Sequence, residues 1–192
     1  MSQKEKMIED LLKEIDGYYM QLVYLCDLIA VEEDVENSTK LENKSPNFKL
    51  ITESGLTDAY MMVLMRLYDK TESTKTKSIP NLVEKCLKSI HLFPNQADAE
   101  EKLNEFRQRI ESDIYIAHAI EVLRLRRDSI LAHNDKKYFG EKIVEEHSYF
   151  KKYHIWFLRN FAKEVLDYLY SQFSDEQTRS TKYNKDLENL FL

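Results

Sequence analysis

The chain has 192 residues, of which 43% are hydrophobic and 32% charged, with only three glycines and three prolines. A chain of this length most simply forms one domain with a hydrophobic core. The scarcity of glycine and proline favours long helices. No apolar run is long enough to span a membrane. The net charge of −6 argues against indiscriminate binding to nucleic acid, so any contact with RNA must come from a local patch.

The N-terminus and the cysteines indicate the cellular compartment of the protein. The N-terminus runs straight into a charged helix and has no signal-peptide core. Cys26 and Cys86 are far apart among apolar neighbours, so we expect buried thiols rather than a disulfide framework. These features predict a cytoplasmic protein.

Three helices are predicted in the first half of the chain. Apolar residues recur at three- and four-residue steps over 4–33, and a polar loop is expected over 34–45. Ser45 and Pro46 predict the start of a second helix that runs to about residue 70. After a flexible loop at 71–77, Ser78 and Pro80 start a short third helix that ends near His91. The apolar stripe of the second helix comprises Phe48, Ile51, Leu56, Tyr60, Met61, Leu64 and Leu67.

The second half begins with a helical pattern from Gln96 to Leu131 that is expected to bend near Ser112. A turn follows at 134–140, and the last long helix is predicted over 142–173. The sequence thus predicts an all-α fold, a bundle of four long helices with one or two short extra helices. The single domain covers 1–173, and 174–192 form a polar tail with an apolar end.

Candidate chemistry is concentrated between Arg124 and Lys137, where five basic and two acidic residues give a net charge of +3. Arg126 and Arg127 lie within two turns of His133. Arginine offers planar donors that suit phosphate, and histidine transfers protons near neutral pH. A phosphate clamp beside an acid/base is sufficient for RNA cleavage without a metal ion.

Helical geometry leaves two questions about this segment open. His133 and Arg126, seven residues apart, share a helix face more closely than His133 and Arg127 do. A histidine in the last turn of a helix also interacts favourably with the helix dipole, and nearby arginines are commonly a solvated face. A purely structural role is therefore an alternative to a catalytic one.

The segment from Arg127 to His133, with Asp128 as polar follower and five intervening residues, resembles the signature of HEPN (higher eukaryotes and prokaryotes nucleotide-binding) domains. Within that superfamily the chain is most similar to the abortive-infection U (AbiU-like) proteins. The resemblance includes Ser45–Phe48, Leu64–Lys70 and Ala132–Asp135. It covers most of residues 1–170 and leaves the tail outside.

The resemblance implies a homodimer whose two motifs face each other, and a metal-independent endoribonuclease of a toxin–antitoxin or antiphage (abortive infection) system. It favours Arg127 with His133 as the catalytic residues, supported by Arg126 and Asp128. An antitoxin or a nucleotidyltransferase is the expected partner, although Asp135 occupies the position where some HEPN toxins carry a modifiable tyrosine. No cofactor or metal is expected. The residues expected to contact RNA are Arg124, Lys136, Lys137 and Tyr138.

Other family members have lost activity, so a catalytically silent interaction or nucleotide-binding module is the alternative function. An unrelated helical structural protein is a third hypothesis.

His118 is expected to be packed. His147 and His154 share a face but complete no familiar set of metal ligands. The aromatic residues of the last helix are expected in the core or at a dimer interface rather than stacked on bases.

Overall fold

The computed structural model describes residues 2–69, 77–127 and 150–174. These ranges contain seven α-helices, a 3₁₀ turn and no strand, which confirms the predicted all-α bundle. The helices are α1 (Gln3–Asn37), α2 (Thr39–Lys44), α3 (Pro46–Tyr68), α4 (Ile79–Lys88), α5 (Gln96–Ser112), α6 (Ile116–Arg126) and α7 (Lys152–Ser171); the 3₁₀ turn is Ile90–Leu92.

The longest helix, α1, begins with a capping box and ends later than predicted. The hydroxyl of Ser2 accepts the backbone N–H of Glu5, and the Glu5 carboxylate accepts the backbone N–H of Ser2. The prediction of a loop over 34–45 is wrong, because α1 continues to Asn37 and α2 follows at once. Ser38 caps α2 by accepting the backbone N–H of Leu41.

Helix α3 begins at Pro46 as predicted, but only its second half carries the expected buried stripe. Tyr60, Leu64 and Leu67 are buried, whereas Phe48 and Ile51 are 58% and 71% exposed. The apolar pattern continued over the whole helix and therefore predicted that its first turns are buried. In the described part of the fold, no element buries Phe48 and Ile51.

The helical pattern from Gln96 is interrupted at Asp113, where a bend was expected. The Asp113 carboxylate accepts the backbone N–H groups of Tyr115 and Ile116, each at 2.8 Å, and this caps the start of α6. Ile114 lies in this turn and is 74% exposed, although it is an apolar residue within the helical pattern predicted from Gln96 to Leu131.

The last helix begins at Lys152, ten residues later than the prediction. Lys151 has extended backbone dihedrals, and its N–H donates to Nδ1 of His154 at 3.0 Å. Histidine is not a common capping residue, so the sequence pattern did not show this start. Residues 142–149, the turn at 134–140 and the 174–192 tail, except Ser174, lie outside the described residues.

The core lies where α1 packs along α3 and α7, and where α6 packs between α5 and α7. Buried hydroxyls fix the last helix in place: Tyr19 donates to Asp167 at 2.5 Å, and Tyr68 donates to the carbonyl oxygen of Leu158. Both cysteines are free thiols, Cys86 fully buried and Cys26 partly so. Among the described helices, none has a segment with the length and apolar character to cross a bilayer.

Candidate phosphate-binding site

The end of α6 brings three arginines to one place on the bundle. Arg124 and Arg126 lie in the last turn of the helix, and Arg127 follows immediately. Basic side chains at this end interact favourably with the unpaired carbonyl groups of the helix. Because α6 packs against α3, α5 and α7, its last turn lies close to the C-terminal end of α3.

Arg127 forms an ion pair with Asp69, the residue that ends α3. Nη1 of Arg127 and Oδ1 of Asp69 are 2.5 Å apart, and the two side chains are 31% and 28% exposed. The preceding residue, Tyr68, is buried, and burial raises the pKa of its hydroxyl well above the ordinary value. The hydroxyl therefore stays a donor to the carbonyl of Leu158, which fixes the position of Asp69.

A pocket of about 270 Å³ lies beside this ion pair, between α3, α5 and α6. Its buried lining is apolar and includes Met65, Ile110 and Leu123. Its charged lining residues are Asp69, Glu111, Arg124 and Arg127. Since the apolar members are buried, except Ile120, which is partly buried, and Arg124 and Glu111 are exposed, the pocket has apolar walls and a charged rim.

Arg124 and Arg126 have different surroundings. Arg124 is exposed at the rim of the pocket and has no ion pair with any carboxylate of the described residues. Arg126 points to another part of the bundle, where its charge acts on the Tyr60 hydroxyl, and no group in the described ranges accepts a hydrogen bond from its Nε. Arg124 and Arg127 thus share a pocket from which Arg126 is excluded.

Near Arg126 lies a buried carboxylate that the sequence did not single out. Glu32 on α1 is 9% exposed, and burial raises its pKa above the ordinary value. The Thr57 hydroxyl donates to it at 3.3 Å, and Lys152 lies near enough for its charge to oppose the shift. The charges of Glu32, Lys152 and Arg126 all act on the Tyr60 hydroxyl, so Arg126 belongs to a polar cluster around Tyr60 that draws on α1, α3, α6 and α7.

The family model of AbiU2, a HEPN family, matches residues 5–190. The chain belongs to the AbiU2 family of HEPN proteins. The match extends beyond the residues that carried the resemblance in sequence, into the C-terminal tail. Comparisons with the curated proteins and with the solved structures found no match.

In this AbiU2-family protein, Arg127, which the resemblance in sequence assigned to the HEPN motif, is the residue that pairs with Asp69. The other half of the motif, His133, lies outside the described residues together with Asp128, Lys136, Lys137 and Tyr138. The structure therefore brings together two of the predicted site residues, Arg124 and Arg127, and separates Arg126 from them.

Sequence reasoning missed Asp69 and the pocket. Asp69 was interpreted only as the end of a helix, which it is. Its position 58 residues before Arg127 gives no periodic signal, and only the crossing of α3 and α6 makes the two meet. The family resemblance did include the segment Leu64–Lys70, and that was the one available sign that this helix end has a role.

The remaining histidines and aromatic residues have the following positions. His154 is buried and its ring centroid lies 5.5 Å from that of His118, which is exposed rather than packed as expected. His147 lies outside the described residues, within which no group of three or more metal-ligating side chains occurs. Of the aromatic residues on α7, Phe161 and Tyr170 are in the core, whereas Tyr153 and Trp156 are about half exposed.

Proposed function

We propose that this HEPN protein is a metal-independent endoribonuclease of an abortive-infection system. The observation that carries the proposal is the placement of Arg127. The resemblance to the family motif singles out this arginine, Asp69 orients it, and it lines a pocket together with Arg124, which pairs with no carboxylate of the described residues. The planar guanidinium group presents its N–H donors in a fork that fits phosphate as it fits carboxylate.

The proposed reaction is attack by a ribose 2′-oxygen on the adjacent phosphorus. His133 takes the proton of the 2′-OH or gives one to the leaving 5′-oxygen, as the P–O5′ bond breaks and a 2′,3′-cyclic phosphate forms. Arg127 offsets the negative charge that gathers on the phosphate oxygens. DNA lacks the 2′-OH and is not a substrate of this reaction.

RNA contact outside the reacting phosphate is assigned to the basic segment that contains Arg124, Lys136, Lys137 and Tyr138. Arg124 supports this part of the proposal, because it is exposed and forms no ion pair within the described ranges, and an arginine of this kind attracts phosphate. The protein as a whole carries a net charge of −6, so binding is confined to this end of the bundle. Asp128 has a supporting role in this segment, whereas Arg126 supports the bundle through its contact with the surroundings of Tyr60.

We further propose that the active form is a homodimer. An apolar surface group formed by Ile114, Tyr115, Tyr153 and Trp156 supports this, since each of these side chains is about half exposed or more. Tyr115 and Trp156 both contact the ring of Phe157, at centroid distances of 4.9 and 5.3 Å. Contiguous exposed apolar side chains of this kind mark interaction sites. An antitoxin or nucleotidyltransferase is the proposed regulatory partner.

The test is incubation of the purified protein with total cellular RNA in the presence of EDTA. We expect cleavage by the wild-type protein, and a rate about 10²–10⁴ lower for His133→Ala. Binding of RNA without cleavage would instead identify a catalytically silent HEPN module that holds nucleic acid or nucleotides. Cleavage at the full rate by His133→Ala would contradict the proposed mechanism.

A further inference from the structure

The pocket beside Arg127 has a composition that a phosphate alone does not require. A phosphate needs donors, yet half of the ten lining residues are buried and apolar, including Met65, Ile110 and Leu123. A ligand that fills the pocket must therefore combine an anionic group with an apolar, flat or compact body. A nucleotide has both parts, joined by a ribose.

We infer that this pocket binds the base of a nucleotide whose phosphate lies on Arg124 and Arg127, and that it selects a base with an exocyclic amino group. The inference rests on the proposed function, because it uses the same arginines, and it adds the specificity of the site. The volume of about 270 Å³ lies just below the range of roughly 300–1,000 Å³ for small-molecule sites, which suits one base rather than two.

Selection follows from the acceptors in the lining. The carboxylates of Asp69 and Glu111 are its acidic groups, and an ionised carboxylate only accepts hydrogen bonds. Asp69 gives one oxygen to Arg127, and no other described donor contacts its second oxygen. An amino group on the base can donate to that oxygen, as carboxylates commonly accept from the amino group of cytosine.

Cytosine and uracil form a matched pair for this pocket. They have the same shape, but where cytosine carries an amino donor uracil carries a carbonyl oxygen, which a carboxylate repels. A site that pairs with one hydrogen-bonding group discriminates against the analogue that lacks it, because the partly buried carboxylate oxygen then has no donor on the ligand. One such pairing corresponds to a preference of roughly tenfold.

The test is equilibrium binding, by calorimetry, of cytidine 3′-monophosphate, uridine 3′-monophosphate and ribose 5-phosphate to the full-length protein. None of the three contains a phosphodiester, so none is a substrate of the proposed cleavage and the result is independent of the nuclease proposal. We expect the cytidine nucleotide to bind about tenfold more tightly than the other two. Equal affinity of the cytidine nucleotide and ribose 5-phosphate would overturn the inference.

Variants locate the binding. Ile120→Trp fills the pocket and should abolish the preference for the cytidine nucleotide, whereas Met62→Trp, at an exposed position of α3, should preserve it. Arg124→Ala should weaken binding of all three ligands, and Arg107→Ala, an exposed arginine on α5 outside the pocket, should not. An unchanged preference in Ile120→Trp would place the base elsewhere and overturn the inference.

A second variant guards against misfolding of Ile120→Trp. Asp69→Asn replaces one carboxylate oxygen by an amide donor, so the ratio of the cytidine to the uridine affinity should decrease while ribose 5-phosphate still binds. A ratio that stays at about ten in Asp69→Asn would contradict the assigned pairing. The bound base could belong to a nucleic-acid strand or to a free nucleotide, and binding of oligo(dC) and oligo(dU) distinguishes these two ligands. A preference for oligo(dC) indicates a base within a strand, and its absence indicates a free nucleotide.

Discussion

Arg127 and Asp69 form an ion pair that joins the end of α6 to the end of α3, with 2.5 Å between Nη1 and Oδ1. The pair is about one-third exposed on each side, so its effect on stability is modest and its main effect is on geometry. A side chain as long as arginine loses much rotamer freedom when it is held, and a phosphate then binds without that cost.

The first prediction concerns Asp69 as a positioning residue. Asp69→Ala should lower the rate of RNA cleavage about tenfold or more, because Arg127 then lacks its orienting partner and must be ordered by the substrate. The loss should appear in kcat, with little change in KM, and Asp69→Glu should recover part of it. Steady-state kinetics on a short RNA measure both values. A melting temperature lowered by many degrees in Asp69→Ala, with kcat unchanged, would show a purely structural role.

The second prediction separates the two neighbouring arginines. Arg127→Lys should reduce cleavage strongly, since lysine keeps the charge but loses the planar fork that pairs with carboxylate and phosphate. Arg126→Ala should instead lower the free energy of unfolding while cleavage by the folded fraction persists, because Arg126 lies in the polar cluster with Tyr60. Urea denaturation, measured together with the cleavage assay, distinguishes the effect of Arg127→Lys on activity from the effect of Arg126→Ala on stability. The reverse pattern would assign the catalytic role to Arg126 and leave the enzyme class intact.

The third prediction concerns acid stability and His154. Burial lowers the pKa of His154, and the nearby charges of His118 and Lys151 lower it further, while Nδ1 must stay unprotonated to accept the Lys151 N–H. The unfolded chain binds a proton near the ordinary value of about 6.5 and the native state does not, so stability is full above that pH and decreases as the pH falls below it.

His154→Asn keeps an acceptor at the position of Nδ1 but does not ionise. The melting temperature of this variant should depend less on pH between about 5.5 and 7 than that of the wild type. His91→Asn, at an exposed position, is the matched control and should behave like the wild type. An equal dependence of melting temperature on pH in His154→Asn and in the wild type would show that His154 is not the source of the acid sensitivity.

The fourth prediction concerns assembly. Trp156→Glu places a charge in the exposed apolar group and should convert the proposed dimer to a monomer at micromolar concentration. Met20→Glu is the control, because Met20 is 61% exposed on α1 and belongs to a different surface. Light scattering measures the mass. A wild-type protein that is strictly monomeric would exclude the dimer.

Much of the fold could be predicted from the sequence because helical periodicity and start signals are local. Pro46, Ser78 and the break near Ser112 all mark real helix ends. Errors arose where tertiary packing decides: the apolar residues Phe48 and Ile114 are exposed because no described element covers them. The start of α7 was misplaced because a histidine side chain provides the cap.

The candidate site was half predictable. The motif singled out Arg127 and its basic neighbours, since arginines close to a histidine form a local pattern. The choice between Arg126 and Arg127 depended on which elements each one faces, and helix angles alone favoured Arg126. Residue spacing could not identify Asp69, because an ion pair across two helices leaves no periodic pattern in a single sequence.

The most direct test of the account is end-group analysis of the RNA fragments by mass spectrometry after cleavage in EDTA. The account predicts fragments that end in a 2′,3′-cyclic phosphate, or in the 3′-phosphate formed by its hydrolysis, and no cleavage of DNA of the same sequence. Fragments with either of these ends should be lost in His133→Ala and in Arg127→Lys. Fragments with 3′-hydroxyl and 5′-phosphate ends, or cleavage of the DNA, would contradict attack by the 2′-OH and with it the assigned roles of Arg127 and His133.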